Sequence, residues 1–269
     1  MTESFTVETN EATLAVERLG NAALPTLLFL GGSGTTLDTS RVLLAPLMKH
    51  FDLLAFDYRG AGLSTTTALS WTMADYAQDC LAILDALGLE QVLILGLSFG
   101  GMVALEFAVT HPTRVTRLAL WCTSAGGEAG SSYPLELIRQ GAGDEADSYQ
   151  RLLLDRRFTD AYLSEHEDAR NLALLMARGD GARPVSEQNY KAQMAARRHH
   201  DVSDRLGALT METFVAMGRF DGIAPLANGE ALAARVPTAT LRSYDGGHGF
   251  FAQDQRAYPD TISFLSQGL

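Results

Sequence analysis

The chain has 269 residues, 46% of them hydrophobic and 20% charged, and a formal net charge of −11. That length holds one large α/β domain, or a domain carrying a sizeable insertion, and the composition is that of a globular protein. The acidic balance argues against nucleic acid or an anionic membrane as a partner; the one basic cluster, Arg197-Arg198-His199-His200, is short, is followed by Asp201 and reads as a solvated helix end.

Met1 to Gly20 is acidic and lacks an apolar core of the kind a secretory leader needs, so the expected compartment is the cytoplasm. Phe5 to Arg18 reads as two short strands with a turn near Asn10-Glu11. Thr26 to Leu30 is a buried strand that runs into Gly31-Gly32-Ser33-Gly34, and a helix is expected from about Ser40 to Lys49. Asp52 to Asp57 is a further strand, ending in Tyr58-Arg59-Gly60-Ala61-Gly62-Leu63-Ser64. Thr72, with Asp75 three residues on, has the form of a capping box, and Met73, Tyr76, Ala77, Cys80, Leu81, Leu84 and Leu87 follow helical spacing up to Gly88.

Val92 to Leu97 is a continuous apolar run, as in a strand buried on both faces of a parallel sheet. Gly96-Leu97-Ser98-Phe99-Gly100 follows, and then an apolar helical stretch to about Val109. A serine between two glycines at a strand-to-helix turn is the pattern of a nucleophile elbow. The glycines leave the room that lets the turn lift Ser98 Oγ clear of the sheet, and the turn puts the Phe99 N–H at a helix N-terminus, where negative charge is favoured. Hydropathy alone would admit a membrane span over Val92 to Val109, but Ser98, Glu106 and the glycines argue for the core of a soluble domain.

Val115 to Cys122 is another strand. Cys80 and Cys122, in a predicted helix and strand, read as buried free thiols, not as a disulfide or a metal site. Strand–helix alternation then stops at about Ser124. Residues 125–209 carry helix cores at Leu152-Leu153-Leu154, Leu172 to Met176 and Asn189 to Arg198, with loops at Gly141 to Asp144 and Gly179 to Pro184. This stretch reads as an inserted helical lid on a core made of residues 1–124 and 210–269. The sheet resumes at Glu212 to Met217, followed by a helix over Leu226 to Val236, a strand over Thr238 to Tyr244 and a last helix to Leu269. The expected fold is therefore α/β, a mostly parallel eight-stranded sheet flanked by helices, with the lid inserted.

A serine nucleophile needs a base, and the base needs an acid to orient it. Of six histidines, only His248 sits in a glycine-rich loop just past a strand, Asp245-Gly246-Gly247-His248-Gly249. Asp221 stands beyond the end of another strand, where sites collect in such sheets. Asp245 is its rival, but it is only three residues from His248 and suits a turn. The expected catalytic set is Ser98, His248 and Asp221, with an oxyanion hole from the N–H groups of Phe99 and Gly32. Leu152, Leu153, Leu172, Leu175 and Met176 are candidates to line the substrate pocket, although packing within the lid would explain them equally.

These motifs resemble the α/β-hydrolase superfamily over nearly the whole chain: Leu30 to Gly34, Asp57 to Ser64, Gly96 to Gly101, Gly218-Arg219-Phe220-Asp221 and Gly247-His248. Gly34-Thr35-Thr36-Leu37 and Gly96 to Met102 look most like the small capped ester and lactone hydrolases, including 3-oxoadipate enol-lactonases. Many relatives carry His-Gly at the first loop where this chain has Leu30-Gly31. Haloalkane dehalogenases and epoxide hydrolases use an aspartate where Ser98 stands, and no amine-binding acid cluster of the proline-specific peptidases is visible. Cofactor-free haloperoxidase-like esterases share nearly every motif. The resemblance implies hydrolysis of a small-molecule ester or lactone with no metal or organic cofactor. The alternative is a non-hydrolytic member, a lyase or ligand-binding receptor. The sequence is compatible with an assembly of identical copies.

Overall fold

The computed structural model describes residues 2–140, 144–177 and 185–268; the side chains of 138–140, 144–147 and 175–177 are outside the description. The strands are β1 (Thr2–Glu8), β2 (Ala12–Leu19), β3 (Thr26–Leu30), β4 (Asp52–Phe56), β5 (Thr65–Thr66), β6 (Val92–Leu97), β7 (Val115–Trp121), β8 (Glu212–Gly218) and β9 (Ala239–Tyr244). They form one sheet in the order β1-β2-β4-β3-β6-β7-β8-β9, with β5 pairing β2 off that path. The pairs that involve β2 are antiparallel, and from β4 to β9 every pair is parallel. The sheet thus has nine strands where eight were expected. The extra one is the two-residue β5, too short for a periodic signal.

The helices are α1 (Leu37–Leu44), α2 (Met73–Ala86), α3 (Phe99–Thr110), α4 (Asp144–Leu154), α5 (Asp160–Glu165), α6 (Glu167–Ala177), α7 (Glu187–Arg198), α8 (Leu226–Arg235), α9 (Phe250–Gln253) and α10 (Ala257–Leu265). Thr72 caps α2 in the capping box with Asp75. α1 begins three residues earlier than the pattern implies, because Thr36 and Thr39 form a capping box and Asp57 Oδ1 accepts the Leu37 N–H at 2.7 Å. The last helix is two, parted at Asp254, whose carboxylate accepts from Arg256 and from the Asp245 N–H.

Chain direction explains where a site can form. After β3 the chain adds β4 on one side and later β6 on the other, so the loops leaving β3 and β6 diverge at the carboxyl edge. Register pairs Leu30 with Gly96, Leu97 with Trp121, Trp121 with Ala216 and Gly218 with Tyr244, which brings the ends of β3, β6, β7, β8 and β9 to one edge. β6 is buried throughout. Each of its large apolar side chains contributes about 2 kcal/mol of burial, so this strand anchors the loops around it.

Between β7 and β8 the described residues hold helices and no strand of the sheet. The expected loop at Gly141 to Asp144 lies outside the described residues except for Asp144, which begins α4, and that at Gly179 to Pro184 lies wholly outside them. One expectation fails here. In the basic cluster at the end of α7, Arg198 and His199 are exposed, but Arg197 and His200 are only 6% and 4% exposed. The helix end turns inward at Asp201, where a bridge to Gly126 ties it to the segment after β7.

α3 lies almost against β3. A Cβ on Gly100 would overlap the Leu30 carbonyl oxygen and stand 2.6 Å from Gly31 O, and one on Gly96 would stand 2.6 Å from Gly100 O. Gly100→Ala therefore forces backbone apart and is expected to cost about 3 kcal/mol in urea unfolding. Gly207→Ala, where a Cβ meets nothing within 4 Å, is the matched control and stays within about 0.5 kcal/mol. Equal midpoints for the two variants would contradict the close approach.

Candidate active site

Three side chains from three loops meet at the carboxyl edge. His248 Nε2 lies 2.9 Å from Ser98 Oγ, and His248 Nδ1 lies 2.8 Å from Asp221 Oδ2. A carboxylate only accepts, so Nδ1 carries the proton and the Nε2 lone pair accepts the serine hydroxyl. The second Asp221 oxygen accepts the backbone N–H groups of Ile223 and Ala224 at 2.7 and 2.8 Å, which fixes the carboxylate plane. All three side chains are largely removed from water. Burial alone would push the His248 imidazole down; the charge and hydrogen bond of Asp221, with Cys122 adding to both, outweigh it and hold the imidazole well above 6.5.

Ser98 has φ 53° and ψ −112°, a conformation that costs a non-glycine residue on the order of 1–3 kcal/mol. Its neighbours enforce it: the Ser98 N–H donates to Trp121 O at 2.8 Å, and Thr123 Oγ1 donates to Ser98 O at 2.7 Å. Thr123 sits against Gly101, where a Cβ would come 2.5 Å from its Cβ. Cys122, between Trp121 and Thr123, also has positive φ, 41°, so the turn after β7 is strained in step with the elbow. Cys80 and Cys122 are both buried and free.

The expected oxyanion donors lie together. A Cβ on Gly32 would stand 3.8 Å from Ser98 Cβ, and among the described residues neither the Gly32 nor the Phe99 N–H meets an acceptor. The glycine loop is held from below. Tyr58 donates its hydroxyl to Gly31 O at 3.0 Å, and its ring meets Phe99 edge-on at 5.3 Å. Asp57 binds both the start of α1 and the Leu63 N–H, so it ties the loop after β3 to the loop after β4. Leu30, where many relatives have histidine, is fully buried. The support comes from Tyr58 and Asp57 instead, two residues whose part the sequence did not reveal.

The leucines of α4 stand beside the loops that carry Asp221 and His248. Leu153 is buried and Leu152 half-buried, and their segment braces the acid and histidine loops through the main chain. Gly222 N–H donates to Leu153 O at 3.0 Å and His248 N–H donates to Leu154 O at 2.6 Å. Next to it, buried Asp155 accepts from Gln253 Nε2 at 2.8 Å, and Gln253 Oε1 accepts the Gly247 N–H at 2.8 Å. Arg157 joins Asp155 to Asp245, the rival acid, while His248 Nδ1 is bonded to Asp221. Leu172 packs beside Phe158, Leu163 and Ala173, and the side chains of Leu175 and Met176 lie outside the description. A cavity of 680 Å³ between α4, α5 and α6, bordered by Leu154, Leu163 and Arg170, contains none of the three central side chains.

Among the described residues, Cys122, Asp221 and His248 form the only group of metal-ligating side chains within reach of one ion, and Asp221 and His248 spend those atoms on each other. No helix among the described residues is long and apolar enough to cross a membrane; Val92 to Val109 is a strand, a turn and a helix.

Comparison with known proteins agrees with this fold. A family model described as the alpha/beta hydrolase fold matches residues 25–255. The chain is 30% identical to 2-hydroxymuconate semialdehyde hydrolase of Pseudomonas putida over 76% of its own length and 72% of that protein's. It is 25% identical to 3-oxoadipate enol-lactonase 2 of Acinetobacter baylyi, over 96% and 94%. A solved hydrolase from Pseudomonas aeruginosa superposes with a TM-score of 0.78 at 28% identity, covering 98% of each chain.

Asp155→Ala leaves Arg157 and Gln253 without their shared acceptor. We expect a loss of about 2–3 kcal/mol in urea unfolding. We also expect the reaction of Ser98 with a fluorophosphonate to slow, because the His248 loop loses a brace; an unchanged reaction rate would show that the loop stands without it.

Proposed function

The chain is a hydrolase of the α/β-hydrolase fold family, and from that premise we propose that it cleaves a carboxylic ester or lactone of a small molecule through an acyl-enzyme. The observation that carries this reading is the single imidazole bridging a strained, lifted serine and a buried carboxylate at hydrogen-bond distance on both sides. Ser98 Oγ attacks the carbonyl carbon while His248 Nε2 takes its proton. The oxyanion forms against the N–H groups of Phe99 and Gly32, at the N-terminus of α3. The imidazolium, held by Asp221, returns the proton to the leaving oxygen. Water, deprotonated by the same imidazole, then frees the acid and restores Ser98.

In this reading residues 125–209 are the lid and residues 1–124 and 210–269 the core. Leu152, Leu153 and Leu172 line or back the substrate space. The enol-lactonase and semialdehyde hydrolase relatives support a small substrate with an activated carbonyl. No metal or organic cofactor has a part in these steps.

Ser98→Ala is expected to lower turnover of a p-nitrophenyl ester at least about 10⁴-fold and to abolish the fluorophosphonate adduct seen by intact mass, with the fold unchanged. Retained turnover would sink the mechanism.

The pH dependence follows from Asp221. The base is neutral His248, and Asp221 favours its charged form, so kcat/KM should rise with pH through a midpoint above about 6.5. Asp221→Asn removes the charge that retains the proton. The midpoint should then move down while the rate falls about 10³–10⁴-fold. A midpoint unmoved by that substitution would remove Asp221 from the role.

A further inference from the structure

α7 is anchored at three places along the carboxyl edge of the sheet. At its start Asn189 Nδ2 donates to Gly60 O at 2.8 Å, in the loop after β4. One turn on, the Gln193 side chain reaches the Tyr76 hydroxyl, whose ring meets Phe99 edge-on at 5.1 Å. Past its end, Asp201 bridges Gly126, beyond β7. Since the strand order is β4-β3-β6-β7, these anchors carry the helix from the loop after β4 to the segment after β7, the two strands that flank β3 and β6. Arg197 lies four residues after Gln193 and so on the same helix face.

Arg197 is 6% exposed, and among the described residues its Nε and Nη2 meet no hydrogen-bond acceptor. The nearby carboxylate, Glu136, is bonded instead to Arg198, the exposed neighbour. Burial lowers the Arg197 guanidinium from its usual range, with Glu136 and Tyr190 opposing only in part. A buried cation compensated only in part is costly, so donors left without an acceptor suit an anion that arrives from outside the chain. Nε and Nη2 share one edge of the guanidinium, and their two parallel N–H bonds match the two oxygens of a carboxylate.

We propose that Arg197 receives a carboxylate carried by the substrate, so that the ester or lactone opened at Ser98 is an anionic one. This rests on the reading of Ser98 as nucleophile. It gives the substrate two fixed points, the carbonyl in the oxyanion hole and the carboxylate on Arg197, and it makes α7 the element that selects. In a chain with net charge −11, a buried cationic fork is a local exception to a field that otherwise repels such substrates.

The test compares two p-nitrophenyl esters that differ in one group, the neutral butyrate and the glutarate monoester with its free carboxylate. kcat/KM is measured for both with the parent protein, Arg197→Lys and Arg197→Met. The parent should prefer the glutarate, and Arg197→Met should lower the glutarate-to-butyrate ratio about a hundredfold, chiefly through KM. Arg197→Lys keeps a point charge without the fork and should fall between. A parent with no preference, or a ratio unchanged by Arg197→Met because both rates fall together, overturns the proposal. If the folded parent hydrolyses neither ester and takes no fluorophosphonate, the Ser98 reading has failed. Calorimetric titration with glutarate then decides Arg197 alone: binding by the parent that Arg197→Met loses supports it, and no binding or equal binding overturns it.

Discussion

The close approach of α3 to the end of β3 is the constraint on which the site depends. Only hydrogens at positions 96 and 100 let the helix start directly beneath the Leu30 and Gly31 carbonyls. That contact brings the Gly32 loop close to Ser98, and among the described residues neither the Gly32 nor the Phe99 N–H meets an acceptor. It also forces Ser98 into a positive-φ turn, and the strain is contained by bonds from β7 and Thr123, not relieved by local relaxation. Close packing and backbone strain here have one cause, and a single added methyl group opposes both.

The sheet edge supplies this geometry on one side only. The acid and the histidine sit on loops after β8 and β9, and such loops are mobile unless something holds them. α4 does so with carbonyl groups, at Leu153 and Leu154, and Asp155 extends the brace through Gln253 to Gly247. The helices between β7 and β8 are thus coupled to the imidazole's position as well as to the space above it. A displacement of α4 would therefore carry the His248 loop with it.

Most of the framework was legible in the sequence because it rests on patterns of side chains. Buried parallel strands are continuous apolar runs, and the glycines around Ser98 mark a place where backbones touch. Asp221 could be separated from Asp245 by counting residues to His248, and the structure gives Asp245 to Arg157. What escaped notice follows from the same logic. The leucines of α4 read as candidates for lining from their side chains, and no side-chain pattern records that their main-chain carbonyls also brace the loops of Asp221 and His248. Asp57 and Tyr58 act across the chain on Leu37 and Gly31, and no local spacing records such a contact. Arg197 and His200 read as solvated because charge at a helix end is ordinarily solvated; the turn inward at Asp201 is a tertiary event.

That last departure separates two kinds of information in the chain. Ser98, Asp221 and His248 stand at the sheet edge, where strand order and register fix them closely. In the proposed reading, the group that distinguishes one ester from another need satisfy no such geometry; a cation removed from water, with an edge that meets no acceptor among the described residues, is enough. Arg198 and Arg197 are adjacent and chemically identical, yet one closes a surface ion pair and the other is left with an idle edge inside. A difference of about one hundred degrees around a helix turn is enough to place two like side chains in such different surroundings.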